Sequence, residues 1–242
     1  TEPQRLIYME SWRRDGVRVS RSEYLDYAYY LEGAPGVTGL AGYAEGAFLV
    51  QDVSSMLCVE AAGLREGDRV MDVCAAPGGK TLLAAQRAAH VLARDVSEQK
   101  LERIRENACR MGLQEKISVQ LWDACRTDMS GLESADVVFM DVPCSGLGVL
   151  GKKRDIKYRV TRDSLKELTE LQRRIVEGSW RYVKPGGVLM YSTCTINRQE
   201  NQDMCDWICD TFPFTLEESR QLLPQQARMD GFFYARLRRS TD

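Results

Sequence analysis

From Arg69 onward the sequence alternates short apolar runs with amphipathic, helical stretches, and that alternation restricts the chain to an α/β fold. Arg69–Cys74 reads as a strand ending in Ala-Ala-Pro-Gly-Gly, and Lys80–Ala89 as an alanine-rich helix. Val91–Val96 is a strand. Ser97 then caps a helix to about Met111, with Leu101, Ile104 and Ala108 on one face. Ile117–Trp122 and Ala135–Val142, an apolar run of the fully buried kind, are further strands. A long helix opens at Thr161 or Asp163, carries Leu165, Leu168, Leu171, Ile175 and Val176 at helical spacing, and is expected to end near Lys184-Pro-Gly-Gly. Gly187–Thr193 is a strand, Gln199–Phe212 a helix, and Phe214–Glu217 and Phe232–Leu237 late strands. The expected architecture is a Rossmann-like, mostly parallel sheet with helices on both faces and right-handed crossovers.

The 242 residues exceed one typical domain and fall short of two. Residues 1–48, rich in Tyr and then in Gly, read as a small N-terminal α+β appendage, and residues 49–242 as the main domain, opening with a helix from Gln51 that Gly63 stops. The chain opens on Thr1, as expected of a piece of a longer protein. Its 33 basic and 35 acidic residues exclude nucleic-acid binding by bulk positive charge, leaving only a local basic face. No apolar run reaches the length of a membrane span, and no signal-peptide pattern opens the chain. Eight cysteines, at 58, 74, 109, 125, 144, 194, 205 and 209, include no CxxC pair, which argues against a zinc ribbon and fits a reducing, cytoplasmic setting. Cys205 and Cys209 read as a buried pair, and no metal site is expected. His90, the one histidine, opens a strand and reads as structural, so histidine-based catalysis has little to work with. Nothing fixes an oligomeric state, and a monomer is the default expectation.

Sheets of this type bind ligands at the carboxyl ends of their strands. Those ends carry Asp72 through Lys80, Asp95, Asp123, Asp141 through Cys144, and Thr193-Cys194. A lone Asp after a strand is ordinarily a turn residue, but four of them and two thiols on one edge suggest a site. One candidate ligand is a nucleoside triphosphate, since Gly79-Lys80-Thr81 matches the end of a Walker A loop and Val137–Asp141 a Walker B strand. That loop needs Gly where Cys74 stands, Pro77 removes a backbone donor, and Asp95 and Asp123 would repel a polyphosphate. S-adenosylmethionine fits better. The Ala75–Gly79 turn admits close backbone approach, Asp95 stands where ribose hydroxyls need an acceptor, Asp123 where an adenine amino group does, and the acidic rim suits a sulfonium.

Asp72-Val-Cys-Ala-Ala-Pro-Gly-Gly-Lys-Thr81, Asp141-Val-Pro-Cys-Ser-Gly146 and Tyr191-Ser-Thr-Cys-Thr-Ile196 with Glu200-Asn201, in that order, resemble the RNA cytosine-5 methyltransferases of the Sun/Fmu and Nop2 type. Gln51–Ser55 and Asp155-Ile-Lys157 add to the match, which covers roughly Gln51 to Leu237, and Asp230–Ala235 looks most like the bacterial 16S ribosomal RNA branch. The resemblance implies S-adenosylmethionine as cofactor, S-adenosylhomocysteine as product, and RNA, specifically 16S rRNA, as partner. It further implies that Cys74, Ala75, Ala76, Pro77, Gly78, Gly79, Lys80, Asp95, Asp123 and Asp141 contact the cofactor, that Cys194 is the nucleophile, and that Cys144 assists product release. Relatives in this branch often carry a helical RNA-binding domain upstream.

The chemistry explains a need for two thiols. Carbon 5 of cytosine is a poor nucleophile until a thiolate adds at carbon 6, and a second group then serves elimination. Lys80 is the candidate to favour the Cys194 anion or orient the base. Asp141 could hydrogen-bond the cytosine amino edge instead of the cofactor, and the sequence leaves both roles open. RNA contact is expected from Gly151–Arg162, where Lys152, Lys153, Arg154, Lys157, Arg159 and Arg162 stand against Asp155, with Tyr158 available for stacking. Where the family usually has Pro before Asp-Ile-Lys, this chain has Arg154. Arg236, Arg238 and Arg239 extend this surface or serve solubility. The target cytosine should be unpaired or flipped. The rival readings are a P-loop ATPase and an RNA-binding scaffold that has lost catalysis.

Overall fold

The computed structural model describes residues 2–224 and 228–241. A first helix, α1 (Glu2–Arg14), precedes the antiparallel pair β1 (Arg18–Arg21) and β2 (Tyr29–Glu32), and Met9, Trp12, Val17 and Leu40 form their small core. Arg110 ties this part to the rest. Its guanidinium lies 4.2 Å from the Tyr43 ring centroid and donates to the carbonyls of Tyr43 (2.7 Å) and Phe48 (3.3 Å).

The helix α2 (Val53–Ala61) is capped by Asp52, whose carboxylate accepts from Ser54 N at 3.0 Å. The alternation then follows as β3 (Arg69–Asp72), α3 (Gly79–Ala85), β4 (His90–Asp95), α4 (Glu98–Arg110), β5 (Ile117–Leu121) and β6 (Ala135–Asp141). It continues through the short α5 (Ile156–Arg159), α6 (Arg162–Ser179), β7 (Val183–Thr193), α7 (Gln202–Thr211), β8 (Phe214–Leu222) and β9 (Phe232–Arg239). The seven-stranded sheet runs β5-β4-β3-β6-β7-β9-β8, parallel from β5 to β7, with β9 and β8 antiparallel at the far edge. The chain is thus the mostly parallel α/β sheet that its pattern led us to expect.

Side chains alternate across the sheet, so each strand feeds two cores. Val70, Val91, Ala93 and Phe139 face α2, α3 and α4; Met71, Val138, Met140 and Leu189 face α6 and α7. Thr161 caps α6 through a reciprocal box with Ser164, as the sequence suggested. Two local expectations fail. Ser97 holds the N-cap position of α4, but its hydroxyl makes no capping bond; its backbone N instead donates to Asp95 at 3.1 Å. Lys184-Pro-Gly-Gly does not end α6, which stops at Ser179, but forms a bulge inside β7, where Val183 pairs with Ala135 and Val188 with Val137. His90 sits at the start of β4, away from the ligand edge, with its Nε2 2.9 Å from Ser118 Oγ.

The strand order reverses between β3 and β6, and that crevice is where a ligand is expected.

Candidate active site

At the carboxyl end of β3 the chain turns through Cys74–Gly78 into α3. Gly78 makes the turn possible: its φ is +102°, and a Cβ there would meet Ile104 Cγ1 at 2.9 Å. A cavity of about 460 Å³ opens over this turn. Cys74, Ala75, Ala76, Pro77, Gly79 and Lys80 form one wall, joined by Asp141 and Cys194 from the ends of β6 and β7. The lining also contains residues to which the sequence reading gave no role: Gln51, Tyr43, Arg110, Asp230 and Phe232. They come from four separated segments, and only the fold assembles them.

Not every candidate residue reaches this wall. Gly78 faces Ile104 instead. Asp95 lies just behind the turn, where its carboxylate accepts from Ala76 N at 3.2 Å. Asp123 is exposed and accepts from Cys125 N at 2.9 Å, the turn role a lone strand-end Asp ordinarily has.

Across the crevice, Lys80 Nζ lies 2.6 Å from Asp141 and 4.9 Å from the Phe232 ring centroid. Burial works against the ammonium, but the Asp141 carboxylate outweighs it and holds the Lys80 pKa above its ordinary value. Asp141 is fixed in turn by Ser192 Oγ, which donates at 2.8 Å. Beneath the pair, Asp72 accepts from the Thr81 hydroxyl at 2.7 Å, and burial pushes its carboxyl up to about 7. Two buried acceptors lining the cavity, Asp72 Oδ1 and Gln51 Oε1, have no hydrogen-bond donor among the described residues. They suit a ligand that brings donors and positive charge.

The two thiols meet. Cys144 Sγ and Cys194 Sγ are 3.2 Å apart, although 50 residues separate them in the chain. Cys194 lines the cavity and Cys144 stands behind it. The bond from Cys144 holds the Cys194 thiol below the usual range, against burial and the nearby Asp141 charge, with Lys80 assisting. The same bond, reinforced by burial, holds Cys144 well above it. Burial, helped by the neighbouring carboxylates, pushes Cys58 up to about 12 and raises Cys74 well beyond the ordinary thiol range. Of these four thiols, Cys194 is the one whose surroundings favour the anion. Backbone bonds fix its place: Gly148 N donates to the Cys194 carbonyl at 3.1 Å, and Gly231 N to the Gly148 carbonyl at 2.9 Å.

The basic segment divides. Lys152 is paired with Asp52 (3.0 Å) and Asp230 (2.9 Å), and Arg159 with Asp155 (3.1 Å). Lys153, Arg154 and Lys157 are exposed and have no carboxylate partner among the described residues; the Lys157 ammonium sits 4.7 Å from the ring centroid of Tyr158, which is itself 79% exposed. Arg236 and Arg238 pair with Glu217 and Arg239 with Glu133. Because β9 runs antiparallel to β7, these arginines lie at the sheet edge remote from Cys194. Among the described residues no group of His, Cys, Asp and Glu is arranged to hold a metal, and no helix is long and apolar enough to cross a membrane.

Comparison with known proteins places this geometry in context. The model of the family described as 16S rRNA methyltransferase RsmB/F matches residues 60–238. Ribosomal RNA small subunit methyltransferase B of Serratia proteamaculans is 34% identical over 247 residues, covering 95% of this chain and 56% of that protein. The protein of the same name from Yersinia pseudotuberculosis is 38% identical over 211 residues, covering 83% and 49%. The chain thus spans about half the length of these curated relatives. Among solved structures, NSun6 from Pyrococcus horikoshii, with SFG, an S-adenosylmethionine analogue, matches with a TM-score of 0.78 at 27% identity, over 89% of this chain and 60% of that one. A methyltransferase homologue from the same organism matches with a TM-score of 0.80 at 28% identity, over 98% and 82%.

Proposed function

The chain belongs to the 16S rRNA methyltransferase RsmB/F family, and from that premise we propose that it methylates carbon 5 of a cytosine in 16S ribosomal RNA, through a covalent bond between Cys194 and the base. The observation that carries this reading is the 3.2 Å contact between two thiols of opposite character at the mouth of the crevice.

The cavity fits S-adenosylmethionine: it is large enough for a nucleoside, its turn is open to backbone contact, and its orphaned acceptors await a cationic ligand. Cys74–Lys80 would hold the methionine part, Asp95 the nucleoside, and Asp141 the side facing the base; Asp123 would join the nucleoside contact only by giving up its turn bond to Cys125 N. When bound, the cofactor would supply an electrophilic methyl group on a sulfonium, whose S–CH3 bond breaks to leave S-adenosylhomocysteine. The chain's own residues do the rest. The Cys194 thiolate adds to carbon 6, forming a C–S bond and moving the ring's electron pair toward carbon 5, which takes the methyl group. Loss of the carbon-5 proton and cleavage of the C–S bond then restore the ring. Cys144, its sulfur 3.2 Å from that of Cys194, stabilises the departing sulfur by donating to it. Lys80 favours the Cys194 anion, and Asp141 keeps Lys80 charged and in place. A Lys80 so engaged is not offered to a polyphosphate, which counts against the ATPase reading.

RNA is bound, in this reading, by Lys153, Arg154 and Lys157 with Arg159 at the segment's edge, by Tyr158 through stacking, and by residues 1–48; Lys152, matched by Asp52 and Asp230, adds little. The target cytosine enters unpaired or flipped, in a cytoplasmic setting. The test is transfer of a labelled methyl group to unmodified 16S rRNA, mapped by base, alongside equilibrium binding of S-adenosylhomocysteine and magnesium-ATP. Label in 5-methylcytosine with binding of the first ligand supports the reading; ATP binding, or nucleoside binding without transfer, overturns it.

A further inference from the structure

Behind the thiols lies a carboxylate that the reaction scheme does not use. Glu200 ends a short 3-10 turn, Arg198–Glu200, and is 0% exposed. Buried carboxylates are ordinarily paired with a cation, yet among the described residues Glu200 has no ion pair. Instead, each oxygen accepts two hydrogen bonds. Oε1 takes Ser145 N at 2.9 Å and Gln172 Nε2 at 3.0 Å; Oε2 takes Ser145 Oγ at 2.6 Å and Asn197 Nδ2 at 3.0 Å. The donors are an amide N–H, two carboxamides and a hydroxyl, so both oxygens serve as acceptors. The Gln172 amide is fixed as a donor because it also donates to the Pro143 carbonyl at 2.9 Å.

What these bonds connect matters most. Ser145 follows Cys144 directly. Asn197 stands three residues beyond Cys194, and Thr195, directly after Cys194, has its Oγ1 2.7 Å from Ser145 Oγ. Gln172 reaches in from α6 and Pro143 precedes Cys144. Tyr191 OH donates to the Glu200 carbonyl at 2.8 Å, fixing the turn to β7. Glu200 is therefore the node at which the Cys144 loop and the Cys194 loop are tied together. A sub-ångström change in either loop would separate sulfurs that now touch.

We propose that Glu200 is a positioning residue for the thiol pair: its four bonds set the distance between Cys144 and Cys194 so that both sulfurs address one base. Its consequence for catalysis rests on the reading that these thiols serve a single cytosine. Its consequence for geometry does not. The same charge acts on Cys144, adding to the bond with Cys194 and to burial in keeping that thiol protonated.

Two measurements separate the two. The first is bridging of thiols by dibromobimane in the full chain, scored by peptide mapping so that the Cys144–Cys194 product is distinguished from any other. Glu200→Gln keeps the volume but turns an NH₂ toward two donors. It should lower the yield of that product about tenfold and lower the melting midpoint by the cost of the unmatched donors, while S-adenosylhomocysteine affinity stays near that of the parent. A yield equal to the parent's overturns the proposal. Ser145→Ala, which deletes one of the four bonds and keeps the backbone donor, should lower the yield by roughly threefold, and it decides the matter if Glu200→Gln does not fold. An unchanged yield there is equally contrary. The second is steady-state methyl transfer, where kcat should fall by about 10–100-fold with little change in KM for RNA. A KM effect alone would make Glu200 part of RNA binding and overturn the assignment. Should the parent chain methylate no cytosine, the bridging result still stands, and only the functional reading fails.

Discussion

Cys144 and Cys194 touch through their sulfurs at 3.2 Å, yet their surroundings drive their thiols in opposite directions. An ordinary thiol ionises near pH 8.5. The hydrogen bond from Cys144 stabilises the Cys194 anion, so Cys194 should stay reactive at a pH where Cys144 is fully protonated. Timed iodoacetamide labelling read by peptide mass should show Cys194 modified first, with a midpoint below the ordinary thiol value. The reactivity is lost as pH falls through that midpoint, and Lys80→Met should move it upward, since Lys80 favours the anion. Equal labelling of the two thiols would contradict this assignment.

Asp72 gives a second pH signature. Its carboxyl ionises at about 7 because it is buried, and a cation in the cavity would favour its ionised form. S-adenosylmethionine affinity should therefore fall as pH drops below 7, by up to about tenfold per pH unit, and Asp72→Asn should flatten the profile. For the unliganded protein the linkage has the opposite sense. A raised carboxyl pKa contributes stability that is full below the unfolded value and is lost as pH rises through 7. Calorimetric titration over this range checks the first effect and thermal melting the second.

Lys152 and its neighbours should differ in their hold on RNA. Lys152 already has Asp52 and Asp230 as partners, whereas Lys153 and Arg154 face solvent. The Lys153→Ala/Arg154→Ala double variant should weaken RNA binding and reduce the salt slope by about 0.7 per lost phosphate contact, as for single strands. Lys152→Ala should leave that slope nearly unchanged. Filter binding across a salt series distinguishes them, and identical slopes for all three proteins would refute the assignment.

Gly148 is a packing constraint on Cys194. A Cβ there would lie 1.9 Å from the Gly231 carbonyl oxygen and 2.8 Å from that of Cys194, so backbone must move. Gly148→Ala should cost roughly 2–4 kcal/mol in denaturant unfolding. A midpoint equal to the parent's would show that the Gly148–Gly231 crossing is looser than the geometry indicates.

Much of this was legible in the sequence because the relevant signals are local. Apolar runs such as Ala135–Asp141 and the Thr161 cap announce their own elements, and strand order places the residues that follow each strand on one edge. Pro185 and the glycines after it misled for a related reason. Such residues mark a turn in isolation, but here the neighbouring strand β6 draws them into a bulge. The rest of the cavity's lining was not legible. Gln51, Arg110 and Asp230 carry no common motif, and only tertiary folding brings them to one space. Counting charges along 151–162 could not reveal that Lys152 is matched by carboxylates 100 and 78 residues away. Nor does any spacing rule show that Glu200, within a motif, would be the buried tie between two loops.

The central claim is that Cys194 attacks the base and Cys144 serves its release. The most direct measurement is denaturing electrophoresis with peptide mapping of Cys144→Ala protein incubated with 16S rRNA and S-adenosylmethionine. A stable protein–RNA adduct linked through Cys194 is predicted, absent when Cys194→Ala is added, and the Cys194→Ala single variant should lose transfer by roughly 10³-fold or more while still binding S-adenosylhomocysteine. Turnover by Cys144→Ala without any adduct, or an adduct mapped to a cysteine other than Cys194, would contradict it.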